Sequence, residues 1–334
     1  MKVWVLAVLL VAAASCEAQS VKAAAEERAS AVDKYALDEN SKGVDDVAWR
    51  QMLGPIATVE KIVYTGLPDV HAKVTELGAQ PMILYAYTFI PLKLDRKAKH
   101  PLIVFLHGGV HGSTLTGGPD NDGRLIRELV QQGYAVISPE YRGSSGYGMP
   151  YERAVDYGAR EDDDALGARD WMLARYSFLD AKRVGLVGWS HGGMISLMNV
   201  LQHPDGYACA FAGVPVSDLA ERMMYSTKKY RAEMAESIGV DVDDDKDTYL
   251  KRSPVYYAAQ LSKPLMIDAD TTDETVHIVE IKHLVAALDA AHKQYKLHIY
   301  DAAPGGHFFN RIDTPLAVES RKDVYAFLKE YLKP

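Results

Sequence analysis

Val187-Gly188-Trp189-Ser190-His191-Gly192-Gly193 decides the fold class of this chain. The stretch reads G-x-S-x-G. A short apolar run, Val184 to Gly188, leads into it, and a helical pattern, Met194 to Gln202, leads out. A serine on a sharp strand-to-helix turn has its hydroxyl pushed out of the sheet toward a ligand. The flanking glycines let neighbouring backbone approach with no Cβ in the way. The helix that follows points its free N–H groups at the same place, where negative charge can collect. The competing reading is a glycine-rich turn with a serine cap.

Outward from this motif the chain alternates. Leu102 to Leu106 is a fully apolar run, as expected of a strand buried on both faces. Leu125 to Gln132 reads as helix and Tyr134 to Ser138 as strand. Asp162 to Arg175 reads as helix, with acids in its first turn that suit the macrodipole. Ala208 to Ala212 and Leu265 to Asp268 read as strands, His277 to Ala291 as helix, and Lys296 to Tyr300 as strand. A helix from about Pro315 to Leu332 closes the chain. Such alternation predicts an α/β protein with a mostly parallel central sheet and helices on both faces. Upstream, Val59 to Thr65 and Met82 to Ile90 are expected as antiparallel edge strands. Asp218 to Ala259 interrupts the pattern with short helices. A small cap is expected there, over the carboxyl ends of the strands where open α/β sheets bind ligands; the alternative is a surface excursion. Residues 20 to about 54 read as a polar, helical accessory segment or a partly mobile arm.

The 334 residues are 48% apolar, enough for a sizeable core, and carry a net charge of −8. With no basic patch, nucleic acid is not an expected partner. Lys2 followed by the apolar run Val3 to Ala14 resembles a signal peptide, being short for a membrane span of roughly 20 residues. Export to the periplasm or beyond is expected, with cleavage after Ser15 or Ala18. A lipid anchor on Cys16 is the alternative. The other cysteine, Cys209, lies in an apolar run and is expected to be a buried free thiol. The expected division is a signal peptide over 1–18, a helical segment over 19–58, and a catalytic domain over 59–334 with the cap at 218–259.

A serine hydroxyl needs a base to take its proton and a third group to orient that base. On this architecture the chain order is Ser, then Asp or Glu, then His. Asp273 follows the strand at 265–268 and His307 follows the strand at 296–300, so Ser190, Asp273 and His307 fall on one rim. Asp268, Asp270 and Glu274 are rival acids. His298 is expected to pack within its strand, and His283 and His292 to be solvated on a helix. For the oxyanion hole the donors are the N–H of His191 and the loop His107-Gly108-Gly109. His107 and His111 flank two glycines but lack a third ligand at metal spacing, so no metal is expected. The chemistry calls for no cofactor.

These segments together resemble the catalytic domain of the prolyl oligopeptidase family, a branch of the α/β-hydrolase fold. The resemblance runs from about Pro101 to the C-terminus. Gly188-Trp189-Ser190-His191-Gly192-Gly193 is similar to the family's nucleophile motif, with His191 where a tyrosine commonly stands. Tyr141-Arg142-Gly143-Ser144-Ser145-Gly146-Tyr147-Gly148 is similar to its arginine-glycine-serine-glycine-tyrosine-glycine run. Asp273 lies three residues before Val276, as the family's catalytic aspartate precedes its valine. Many members place a tyrosine hydroxyl in the oxyanion hole where this chain has His107, so either a backbone N–H or the imidazole is the expected donor. Asp268-Ala269-Asp270 stands where a His-Gly pair is frequent. About 80 residues precede the catalytic segment, too few for the family's β-propeller, so its exopeptidase specificity does not carry over. The resemblance implies a serine hydrolase acting on a small peptide or an ester. A carboxylesterase or carbohydrate acyl esterase, and a non-catalytic binding protein on the same fold, are the alternatives.

Overall fold

The computed structural model describes residues 34–72, 78–118 and 122–334. The expected signal peptide and the Cys16 anchor lie outside these residues. A helix, α1, runs through residues 34–53. After it come the strands β1 (Ala57–Gly66), β2 (Met82–Pro91) and β3 (His100–Leu106), then α2 (Asp122–Gln131), β4 (Ala135–Glu140), α3 (Met149–Glu152) and α4 (Arg160–Arg175). The motif sits between β5 (Leu179–Trp189) and α5 (His191–Gln202), followed by β6 (Cys209–Gly213). Three short helices, α6 (Leu219–Tyr225), α7 (Lys228–Ile238) and α8 (Lys246–Lys251), precede β7 (Leu265–Asp270), α9 (Ile278–Ala290), β8 (Lys296–Tyr300) and α10 (Pro315–Leu332).

One eight-stranded sheet carries everything, in the order β1-β2-β4-β3-β5-β6-β7-β8. From β4 to β8 all pairs are parallel, while β2 runs antiparallel to both β1 and β4. The expectation of two edge strands is therefore half right: β1 is an edge, but β2 is interior. Its buried run from Ala86 to Pro91 has the continuous apolar character of a covered strand rather than an edge.

Alternate residues of β3 serve opposite faces, as the two-residue period of a strand demands. Leu102, Val104 and Leu106 join the apolar layer under α4, α5 and α9. Ile103 and Phe105 join the layer under α1, α2 and α10. Cys209 is buried in the second layer as a free thiol. With no polar partner there, burial pushes its pKa up to about 12.

The described part of α1 is not a mobile arm. Trp49 is fully buried, with ring centroids 4.9 Å from Phe89 and 5.8 Å from Tyr87. Lys42, also buried, donates to the Glu140 carboxylate at 2.6 Å and to the Thr114 carbonyl at 2.6 Å. The helix reads as polar because part of its docking face is a lysine and an aspartate, each matched by a partner far along the chain.

The segment between β6 and β7 breaks into short helices because each start is capped by its own side chain. Asp218, Thr227 and Asp245 accept from the N–H of Glu221, Tyr230 and Thr248. Leu219, Met223, Met234, Ile238 and Tyr249 form a third apolar cluster with Tyr157, Met194, Met198 and Val276. The insertion thus packs on the loops at the carboxyl ends of the strands. No helix among the described residues is long and apolar enough to cross a membrane.

Candidate active site

Ser190 has φ 58 and ψ −120. That left-handed backbone costs a non-glycine residue on the order of 1–3 kcal/mol and persists only where surroundings enforce it. Here the Ser190 N–H donates to the Gly213 carbonyl at 2.9 Å, and its carbonyl accepts from Met194 at 3.0 Å and Val216 at 3.3 Å. The glycines are sterically required. A Cβ on Gly188 would run into the Gly192 carbonyl, and one on Gly192 would lie 2.5 Å from the His107 carbonyl oxygen and closer still to that of Leu106. The end of β3 and the start of α5 therefore touch backbone to backbone. This close approach puts the His107-Gly108-Gly109 loop against the turn that holds Ser190, and it separates the motif from an ordinary capped turn.

His307 Nδ1 lies 2.6 Å from Asp273 Oδ2. The other oxygen, Oδ1, accepts from the N–H of Thr275 and of Val276, each at 2.8 Å. Two backbone donors and the imidazole hold the carboxylate in one orientation, with Asp273 6% and His307 8% exposed. The rival acids are committed elsewhere. Asp270 accepts from the N–H of Thr272 in its own loop and of Ala303 in the loop after β8. Asp268 takes the Ser320 hydroxyl at 3.0 Å and faces His298 Nδ1 at 3.3 Å. Glu274 is exposed. His298 is thus an ion-pair partner as well as a packing residue. His283 is not simply solvated, because its Nδ1 meets Asp218 Oδ2 at 2.9 Å. His292 is exposed and lies just past α9, at φ 54. The structure records a hydrogen bond for the Asp273–His307 half of the constellation and none between His307 and Ser190.

Of the two expected oxyanion donors at His107, the imidazole is already engaged within the protein. The ring stacks on Tyr141 with centroids 4.2 Å apart. Nε2 lies 3.0 Å from Ser144 Oγ, and Nδ1 lies 2.9 Å from the Gly108 carbonyl and 3.0 Å from the Tyr141 hydroxyl. Burial holds its pKa down at about 3, so the ring is neutral and both nitrogens are engaged. The ring thus braces the loop from inside. The Tyr141–Gly148 run supplies that brace. Arg142, fully buried, grips Asp164 of α4 through Nε at 2.8 Å and Nη2 at 2.7 Å. Gly143, at φ 91, turns the chain so that Ser144 reaches His107.

His191 makes a contact that its sequence position did not suggest. Its ring stacks on Tyr157 at 4.5 Å, and Nδ1 lies 3.3 Å from the Gly109 carbonyl. Burial lowers its pKa to about 4. A neutral imidazole with its proton on Nδ1 ties the His107-Gly108-Gly109 loop to the first residue of α5. No signal in the sequence marks that tie. Glu280 and Arg222 were likewise missed; they form a buried ion pair at 2.8 Å under the cap. Among the described residues no cluster of three His, Cys, Asp or Glu is arranged to hold a metal ion.

An open α/β sheet with a left-handed serine between strand and helix, and an Asp–His pair on the same rim, defines a serine hydrolase of the α/β-hydrolase fold. The chain belongs to the prolyl oligopeptidase family, whose model matches residues 124–334. Human dipeptidyl peptidase 8 is 31% identical over 223 residues, covering 65% of this chain and 24% of that protein. The acylamino-acid-releasing enzyme of Sus scrofa is 28% identical over 271 residues, covering 78% of this chain and 34% of that one. Among solved structures, a putative dipeptidyl aminopeptidase IV from Bacteroides ovatus superposes with a TM-score of 0.67 at 23% identity, over 83% of this chain and 36% of the other. The chain spans about a quarter to a third of the length of the curated relatives it matches.

Proposed function

We propose that this protein hydrolyses peptide bonds, and activated esters with them, through an acyl-enzyme on Ser190. Ser190 Oγ attacks the acyl carbonyl as His307 Nε2 takes its proton. Asp273 keeps the other ring proton on Nδ1 and stabilises the imidazolium that forms. The developing oxyanion is met by the N–H of His191, at the first turn of α5, and by an N–H of the Gly108–Gly109 loop. Such donors are worth about 10²–10³ each in kcat. His307 then protonates the leaving amine, and water repeats the cycle on the acyl-enzyme.

The 2.6 Å Asp273–His307 contact, with the carboxylate fixed by two backbone N–H groups, is the observation that carries this reading. The kinship with a dipeptidyl peptidase and an acylamino-acid-releasing enzyme favours peptides over esters as the natural substrate. A cleft of about 570 Å³ runs between Val110 and His111 on one side, Val155, and Tyr230 and Met234 of α7, with Glu152, Glu233 and Glu236 also in its lining, which is room for a short peptide. The test is labelling by a fluorophosphonate together with turnover of a panel of aminoacyl anilides and acyl esters. Wild type labels and cleaves anilides; Ser190→Ala does neither. Turnover of esters with no anilide cleaved overturns the peptidase assignment. The same proposal places the protein outside the cytoplasm, on the strength of Lys2 and the run Val3 to Ala14. N-terminal sequencing of protein made in a bacterial host checks it: an intact Met1 in the purified product refutes export by cleavage.

A further inference from the structure

The wall of the site beyond His191 carries a cation. Arg222 of α6 is 5% exposed and lies under the cap. Its Nη1 donates to Glu280 Oε1 at 2.8 Å and to the Tyr225 hydroxyl at 3.1 Å, and its Nε donates to the Tyr230 hydroxyl at 2.8 Å. Glu280 is fully occupied: Oε1 also receives the Tyr225 hydroxyl, and Oε2 accepts from the N–H of Ser217 at 2.9 Å and Asp218 at 3.1 Å. The acid therefore orients the guanidinium and has no capacity left for another donor.

The remaining amino group, Nη2 of Arg222, has no hydrogen-bond partner among the described residues, and it is not sealed from solvent. The Tyr157 hydroxyl is in the same condition. Tyr157 adjoins the residue after Ser190, and Tyr230 joins Arg222 to the cleft. The Tyr157 ring stacks on His191, and the charge of Arg222 acts on both rings. Val216, bonded to the Ser190 carbonyl, leads into α6. Tyr230, which lines the cleft, accepts from Arg222 and keeps its own proton available. The wall thus presents one cationic N–H edge and two phenolic O–H donors, and Glu280, the one carboxylate bonded to that edge, has no acceptor to spare; Glu233 and Glu236 line the cleft further along α7, and Glu152 lines it from α3.

We propose that this wall selects an acyl residue with a carboxylate side chain, aspartyl or glutamyl, bound by Arg222 Nη2 with help from Tyr157 and Tyr230. This deepens the peptidase reading above and rests on it. A carboxylate answers three donors with acceptor oxygens alone. A carboxamide turns an NH₂ group onto donors, and an aliphatic side chain desolvates the guanidinium edge without a partner. A hydrogen bond to a charged group is worth enough to separate glutamyl from glutaminyl substrates by about tenfold to a hundredfold.

The experiment compares glutamyl, glutaminyl, leucyl and prolyl 4-nitroanilides, with free and with acetylated amines, on the full chain. The expected result is a kcat/KM at least tenfold higher for glutamyl than for glutaminyl. That ratio falls several-fold in Tyr157→Phe, which keeps the ring stack. It collapses toward one in the pair Arg222→Gln with Glu280→Gln, which leaves no lone buried charge. If anilides are not cleaved but Ser190 labels, the same comparison is made with 4-nitrophenyl hemisuccinate against 4-nitrophenyl butyrate. A wild-type preference for leucyl, prolyl, glutaminyl or butyryl substrates overturns the carboxylate site and leaves the Ser190 chemistry standing. Absence of both labelling and turnover overturns the two together.

Discussion

Replacing Gly192 with alanine puts one methyl group between the turn that holds Ser190 and the end of β3. The new Cβ would sit 2.5 Å from the His107 carbonyl oxygen, where ordinary contact begins at 3.4 Å. The difference, 3.4 minus 2.5, is 0.9 Å that must be opened, and the Leu106 carbonyl demands more. Neither side is a flexible side-chain tip. On one side lies the loop proposed above to supply an oxyanion donor, and on the other the first turn of α5, proposed to supply the second. Displacing catalytic groups by about 1 Å costs roughly 10²-fold, and losing a donor outright costs about 10²–10³-fold. We therefore expect kcat to fall by about 10²-fold or more with KM changing far less, since ground-state binding is not the term removed. Steady-state kinetics on an activated ester, with a thermal melt alongside, makes the measurement. Gly43→Ala is the control: Gly43 lies exposed within α1 with nothing within 4 Å of its Cβ position, and alanine there stabilises the helix by about 0.5–1 kcal/mol. A Gly192→Ala enzyme that melts like wild type and keeps kcat within threefold would refute the backbone-contact argument.

Three further outcomes follow from the geometry. Asp273→Asn keeps the shape but offers the wrong tautomer to His307, so kcat on the same ester is expected to drop by about 10⁴-fold with an unchanged melt; a loss below tenfold refutes the assignment. Lys42→Met strands the buried Glu140 carboxylate and should cost about 3–5 kcal/mol in denaturant unfolding, part of which Glu140→Gln recovers when added; an unaltered midpoint would mean that α1 is not held by this pair. Acid stability should reflect His107 and His191. Their folded pKa values, about 3 and about 4, lie below the unfolded value near 6.5. Their contribution is full above pH 6.5 and is lost as pH falls toward those values, by about 1.4 kcal/mol per unit for each. Glu161, raised to about 8 by burial, has the opposite sign: it favours the fold below pH 4.5 and stops doing so as pH rises through 8. His191→Tyr removes one of the two acid-labile groups, so its Tm should drop less than wild type between pH 7 and pH 5; equal drops refute the linkage.

Strands announced themselves because most are covered on both faces and so are written as unbroken apolar runs, Leu102 to Leu106 above all. The Asp273–His307 contact and the strand-to-helix place of Ser190 were readable from chain order and from the loops that follow each strand. Side-chain direction was not. Nothing local tells whether His107 points at substrate or back onto Tyr141, because that depends on Ser144, a residue in another loop. The docking of α1 was hidden for the same reason. A lysine reads as solvated until its carboxylate is known, and Glu140 is 98 residues away. The covered run of β2, Ala86 to Pro91, was there to be read, but its partner β4 lies beyond β3 in the chain and is not named by the pattern.

The distance from Lys42 to Glu140 also sets a clock. A chain made at about 5–20 residues per second needs roughly 5–20 s to synthesise the 98 residues between them. Throughout that interval the salt-bridge acceptor of α1 is still untranslated. Trp49 and Leu53 begin to find shelter only when β2 follows. The apolar positions Trp49 and Leu53 are therefore made well before the β2 residues that cover them, and α1 can dock fully only once β4 has followed.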